Sequence, residues 1–376
     1  MGYRLGLALR PTGMTSRIAC LAWLSLLMGP LLLAAAASAK EADRVQIHTD
    51  FTEADAALAI LDKRQAAGPV TDAEWEVLFA TEPYRRLKKR EAAMRRDFTD
   101  DDFKKFMLSA ELLKQRDALA RTVLDWKQAD LRAAATRVLQ YLPAESVIRT
   151  KIFPVIKPVH NSFVFDVDTD PVIFLYVDLS VSSASFENTV AHEMHHIGVG
   201  SIEKQYEQKI ASLPAASNRV AAWMGAFGEG EAMLAAAGRP DADPVATASA
   251  ELRDNWERGK RDFNADLEKV SDFFLQVLNG KLQGDSIGQT ASEFFGLQGP
   301  WYTVGYRMAS MVEERYGRAA LIDCMRDPRL LLVRYNAVAQ ETNARLAPEQ
   351  SGIAAGAGLL VLWPREILDK TQAPAN

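Results

Sequence analysis

Cysteine is nearly absent from this chain: Cys20 and Cys324 are the only two in 376 residues. A disulfide-built scaffold is therefore excluded, and the fold must be held by a large apolar core or by a bound ion. No excess of basic charge is present either, since 44 Lys+Arg stand against 49 Asp+Glu for a net charge of −5. That balance gives no polyanion-attracting surface and argues against a nucleic-acid partner. Internal repeats of 20 to 50 residues and extended low-complexity segments are also missing, which excludes solenoids and disordered arrays. With 48% hydrophobic and 25% charged residues, what remains is an ordinary globular composition.

The one long hydrophobic run lies at the amino terminus. Arg4, Arg10 and Arg17 precede an apolar stretch from Ile18 to Ala36, and Ala37-Ser-Ala39 fits a small-x-small cleavage site before Lys40. Residues 1–39 are expected to be an export signal, with Met14 as a possible alternative start. Gly29-Pro30 interrupts the run, which favours cleavage over an uncleaved membrane anchor. Cys20 sits near the start of the run rather than after it, so lipidation is not expected. Cleavage removes three arginines and no acids, taking the net charge from −5 to −8. The mature chain is expected to be periplasmic or secreted, without stable membrane association; the alternative is a chain anchored by an uncleaved signal.

From Phe51 to about Gln140 apolar residues recur at helical spacing. Thr71 with Glu74 has the form of a capping box, and the run from Phe98 to Met107 is a second amphipathic stretch. The basic run Arg85 to Arg90 beside acids at 91 to 102 reads as a solvated helix face. Between Val147 and Leu179 the composition turns β-branched and aromatic, as SVIRTKIFPVI, NSFVFDV and PVIFLYVDL, and the turn residues from Asp168 to Pro171 make the last two a hairpin or adjacent strands. Helical spacing resumes near Phe186 and runs to about Leu368, with breaks at 198–200, 238–244, 279–284 and 299–300. The predicted fold is α+β and predominantly α. Residues 40–145 form a helical region, and residues 146–376 form a core containing a small sheet. The terminal stretch at 352–363 is too short for a membrane helix and is expected to pack.

Histidine is scarce, yet three of the five lie within Ala191-His-Glu-Met-His-His-Ile197. His192 and His196 are four apart and share one helix face, so both imidazoles can reach one ion. Glu193 beside them is placed to take a proton from water activated by that ion, the H-E-x-x-H arrangement of zinc peptidases. Serines before Phe186 can cap this helix, and Gly198 stands at its expected far end. The extended metzincin pattern fails, because Val199 and Ile202 occupy the positions for its glycine and histidine. With no histidine after 196, the third ligand is expected to be an acid. Glu229, flanked by Gly228 and Gly230, is the candidate and Glu231 its competitor; the glycines suggest close backbone approach. A carboxylate-bridged di-iron site would need a second E-x-x-H, which the sequence lacks.

His192-Glu193-x-x-His196 together with Glu229-Gly-Glu-Ala232 resembles the gluzincin metallopeptidases, whose third ligand is a glutamate of this kind on a later helix. Trp301-Tyr-Thr-Val-Gly-Tyr306 is similar to a segment of that clan whose tyrosine stabilises the oxyanion. By position the role falls on Tyr302, with Tyr306 as runner-up. The mature chain as a whole, including NSFVF and FENTVAHE, resembles a bacterial group of zinc-dependent peptidases. The resemblance implies a zincin-like core, Zn²⁺ held by His192, His196 and Glu229, Glu193 as general base, and a peptide or protein substrate. No aminopeptidase-type G-A-M-E-N loop is present, so amino-terminal specificity is not implied. The rival reading is a non-catalytic exported helical binding protein with a structural metal site, in which His160 or Glu231 would supply a fourth ligand. His195 is expected to pack or hydrogen-bond, His48 lies in the amino-terminal stretch, and Asn188 reads as a helix-surface residue. The VIFLYVDL strand could pair with an extended peptide along a sheet edge or be a buried strand, and the two readings are compatible.

Overall fold

The computed structural model describes residues 43–167, 169–346 and 358–372; the expected export signal lies outside them. After strand β1 (Val45–Thr49) come α1 (Thr52–Gln65), α2 (Asp72–Phe79), α3 (Glu82–Ala93), α4 (Asp100–Met107), α5 (Ala110–Trp126) and α6 (Leu131–Leu139). Strands β2 (Ile148–Val155), β3 (Phe163–Phe165) and β4 (Val172–Tyr176) follow. The rest is helical: α7 (Ser183–Gly200), α8 (Glu203–Ile210), α9 (Ala215–Met224), α10 (Gly228–Ala237), α11 (Ala250–Arg261), α12 (Phe263–Leu278), α13 (Asp285–Glu293), α14 (Pro300–Tyr316), α15 (Arg318–Arg326), α16 (Arg329–Leu346) and α17 (Arg365–Thr371). The fold is α+β and predominantly α, and the residues from Gln46 onward form one compact unit. No helix among the described residues is long and apolar enough to cross a membrane.

Local chemistry explains where the helices begin. Thr71 and Glu74 form a full capping box on α2, Thr99 and Asp102 do the same on α4, and the Ser182 side chain caps α7 by accepting from the Ser185 N–H. The sheet runs in the order β1-β2-β4-β3. β2 and β4 are parallel, with Ile152 opposite Ile173, and β3 is antiparallel to β4, with Phe163 opposite Phe174. Val172, Ile173 and Phe174 are fully buried, which is why this strand reads as an unbroken apolar run. Of the two readings of this strand, the buried one holds and the open edge does not. β4 is interior, and the short β3 occupies the outer position.

The basic run on α3 is also not a plain solvated face. Arg86 reaches Asp166 at 3.0 Å and Asp170 at 2.6 Å, Lys89 reaches Asp166 at 2.8 Å, and the Arg90 guanidinium lies 3.7 Å from the centre of the Phe163 ring. These cations fasten α3 to the β3–β4 hairpin.

The main core gathers around α14. Trp301 is fully buried, its indole N–H donates to the Ala291 carbonyl at 2.9 Å, and Phe227 and Phe294 meet it edge-on at 5.0 and 5.5 Å. Trp363 packs on Phe227 and is clamped by Asn336, which accepts from its N–H at 2.8 Å and donates to its carbonyl at 2.9 Å. The described part of the 352–363 stretch therefore packs as expected. Cys324 is buried in the same core and is the one cysteine among the described residues.

Candidate metal centre

Helix α7 is seated before any ligand is considered. Phe186 stacks on Trp126 at 4.4 Å, Glu187 accepts from the Asp130 N–H at the start of α6, and Asn188 bridges Arg137 and Thr247. Asn188 thus joins α7 to its neighbours. Gly198 does not end the helix, which runs on to Gly200 with Ser201 at its cap. Gly198 instead leaves room for the Leu142 side chain, which a Cβ there would strike.

Helix α10 brings the acid. At Gly230 a Cβ would collide with the Tyr306 backbone nitrogen and lie 2.6 Å from the Tyr302 carbonyl oxygen, and at Gly305 one would lie 2.6 Å from the Phe227 carbonyl oxygen. The two backbones touch where α10 crosses α14. The close approach expected from the glycines is therefore real at Gly230, whereas Gly228 faces open space.

That crossing and the seating of α7 bring three side chains to a point. His192 Nε2 lies 3.0 Å from Glu229 Oε2, His196 Nε2 lies 3.1 Å from the same oxygen, and the two imidazole nitrogens are 3.0 Å apart. Among the described residues this is the one cluster of His, Cys, Asp and Glu able to hold a metal ion. Bonds of roughly 2 Å in tetrahedral array would space their donors by roughly 3.3 Å, so the cluster fits a divalent ion of zinc's size and ligand preference.

The electrostatics are those of a cation site. Burial alone would raise the Glu229 carboxyl, but His196 and His192 beside it hold it well below the usual carboxylate range. Burial works against a charged His196, yet the charge and hydrogen bond of Glu229, joined by Glu193 and Glu231, lift the imidazole to about 9. Tyr302 lies with its ring parallel to His192 at 6.0 Å, close enough for the Glu229 charge to act on its phenol. Burial first, and then the charges of Glu229 and Glu193, push its phenol up. Tyr306 is turned elsewhere: its hydroxyl donates to the carbonyls of Pro240 at 3.2 Å and Ala242 at 3.0 Å.

The remaining sequence candidates fall outside the cluster. His160 stacks on Tyr176 at 4.3 Å, and His48 is exposed on β1. His195 is fully buried but packs without a hydrogen bond on either ring nitrogen, and burial pulls its pKa well down, so it is neutral. Glu231 is not one of the three converging donors. It is 4% exposed, and burial pushes its carboxyl up to about 8. Nothing in the local sequence marks these last two as buried polar groups, because α8, α15 and the loops covering them come from distant segments.

Two cavities flank the cluster. One of about 390 Å³ is lined by Ser185, Thr189, His192, Met233 and Tyr302; the other, of about 340 Å³, by His196, Val199, Ile202, Glu207 and Glu231. A further cavity of about 570 Å³ lies on the Tyr306 side of α14 and includes none of the three donors.

Residues 75–344 match the family described as "Putative zinc dependent peptidase (DUF5700)". No curated protein and no solved structure matches the chain. The matched span includes His192, Glu193, His196, Glu229 and Tyr302, and it covers well over half of the sequence. By that match the chain belongs to this family of zinc-dependent peptidases.

Proposed function

We propose that the protein is an exported zinc metallopeptidase of the gluzincin type, with His192, His196 and Glu229 as ligands, Glu193 as general base and Tyr302 as oxyanion donor. The observation that carries this reading is the convergence of two imidazole nitrogens and one carboxylate oxygen within 3.0 to 3.1 Å, with a cavity on either side. Neither His160 nor Glu231 joins the cluster among the described residues. Three protein donors are what a catalytic zinc site has, and a structural site takes four.

When bound, the ion would supply Lewis-acid polarisation of a scissile carbonyl and acidify water near neutral pH. The protein does the rest. Glu229, already charged, and the two imidazoles supply the donor set. Glu193 follows His192 on α7, and its charge acts on both His196 and Tyr302. Its carboxylate accepts a proton from the attacking water and passes it to the leaving amine. The Tyr302 hydroxyl, next to Glu229, donates to the carbonyl oxygen as charge builds on it. Export rests on the arginine-led apolar run at residues 1–39.

The test is Glu193→Gln. It should retain about one zinc per chain and lose hydrolysis of casein or mixed peptides by about a thousandfold or more. Wild-type activity in the metal-loaded variant would remove Glu193 from the role of base.

A further inference from the structure

The two cavities beside the cluster differ in charge. The one shared by His192 and Tyr302 has a single acid, Asp178, whose carboxylate is already occupied by the N–H and hydroxyl of Ser180 at 2.8 and 2.7 Å. The one on the His196 side has three acids: Glu203 and Glu207 exposed on α8 at its rim, and Glu231 within. Apart from His196, one of the three converging donors, its cation is Arg326, which is spent, since the guanidinium holds Glu145 at 2.7 and 3.0 Å and Asp323 at 3.1 Å.

Glu231 is the unusual member. It is 4% exposed, and among the described residues no hydrogen bond or ion pair holds it, the His196 charge being the one that acts on it. Its carboxylate oxygens are not among the fully sealed, unpartnered polar atoms, and the residue lines the cavity, so the carboxylate opens into that space. A carboxylate taken from water without a partner is costly, and a charge-assisted hydrogen bond from an ammonium or guanidinium removes most of that cost. The walls between rim and floor are aliphatic, from Val199, Ile202 and Ile210. Such walls suit the methylene stem of a long basic side chain, with acids at the mouth to attract its head and an acid at the end to receive it.

We infer that the cavity on the His196 side is a subsite for a lysine or arginine of the substrate, adjacent to the bond cut, with Glu231 receiving its charge. This rests on the peptidase reading above and adds a substrate class to it: peptides with a basic residue flanking the scissile bond. Glu231 acts here as a specificity determinant and takes no part in the bond-breaking step.

The experiment uses the zinc-loaded full chain and fluorogenic peptides that place Arg, Lys, norleucine, Gln or Asp at each position flanking the cleaved bond. The wild type should prefer Arg or Lys over norleucine at one flanking position by about tenfold or more in kcat/KM, and Glu231→Gln should bring that ratio towards one. Glu231→Asp, which keeps the charge, should retain a basic preference and serves as the second variant if the glutamine form fails to fold. Cleavage without basic preference, or a preference that survives in Glu231→Gln, overturns the subsite and leaves the peptidase reading intact. If no peptide is cut, calorimetry with the same Arg and norleucine peptides on zinc-loaded Glu193→Gln separates the two ideas. Tighter binding of the Arg peptide that is lost on adding Glu231→Gln upholds the subsite without the hydrolase; equal binding of both peptides overturns it.

Discussion

Gly230 and Gly305 meet backbone to backbone where α10 crosses α14, and a Cβ on either would collide with the opposing main chain. Glu229 and Tyr302 sit beside this crossing on opposite helices, so one contact positions both the third donor and the tyrosine proposed to act with it. Gly230→Ala should therefore cost about 3 kcal/mol or more of stability and weaken zinc binding with it. Gly228→Ala, two residues away but facing open space, should be neutral or gain up to about 1 kcal/mol from helix propensity. Thermal melts of the two variants decide it; equal melting points would mean the crossing relaxes freely.

Zinc uptake should be proton-coupled. In the metal-free site His196 is raised to about 9, so at neutral pH an incoming ion must displace its proton. The sign follows: in the metal-free protein the stabilising contribution of this group is full below pH 6.5 and lost as pH rises through about 9. Zinc affinity should rise over the same window, by up to about tenfold per pH unit for one proton. Calorimetry in buffers of different ionisation enthalpy would count the proton released, and Glu229→Ala should abolish high-affinity binding. An affinity flat from pH 6.5 to 9 would contradict this.

The two tyrosines of the Trp301–Tyr306 segment should separate cleanly. Tyr302→Phe loses the hydroxyl beside Glu229 and should lower kcat by about a hundredfold with zinc content unchanged. Tyr306→Phe gives up its bonds to the Pro240 and Ala242 carbonyls and should cost about 1 kcal/mol of stability while leaving kcat alone. A larger kcat loss in the second variant would exchange their roles.

Away from the cluster, Glu53 is fully buried, with one carboxylate oxygen accepting from the Ile156 N–H at 2.9 Å and the other unpartnered. Burial pushes it from 4.5 to about 8, against the pull of that hydrogen bond and of Lys157. A raised carboxyl destabilises the fold as pH climbs between those two values. Glu53→Gln keeps an oxygen for Ile156 and should flatten the decline in Tm from pH 5 to 8, an effect on the order of a few kcal/mol. A decline as steep as in the wild type would show that Glu53 is ionised throughout.

Much of this was legible because it is local. The four-residue spacing of His192 and His196 fixes their shared face once a helix forms, and Thr71, Thr99 and Ser182 announce helix starts through bonds spanning three residues. Glu229 stood out through Gly230, a glycine that only a neighbouring backbone explains. What escaped depends on distant segments. The interior position of β4 is set by β2 and β3 together, and its apolar run fits an edge or a centre equally well. Gly198 resembled a helix end because its partner, Leu142, lies 56 residues away in sequence. The run Arg85 to Arg90 resembled a wet surface because its acids and its Phe163 ring arrive from the hairpin.

Cys324 offers an unplanned instrument. Its thiol is sealed in the main core, hydrogen-bonded to the Ala320 carbonyl at 3.4 Å, and burial pushes its pKa up to about 12. A reagent that attacks thiolates meets no target while the core stays shut. The rate at which an alkylating dye labels this residue therefore measures how often the helices around α14 come apart, with no substitution needed to install a reporter. Zinc, by holding α7 to α10, should slow that clock.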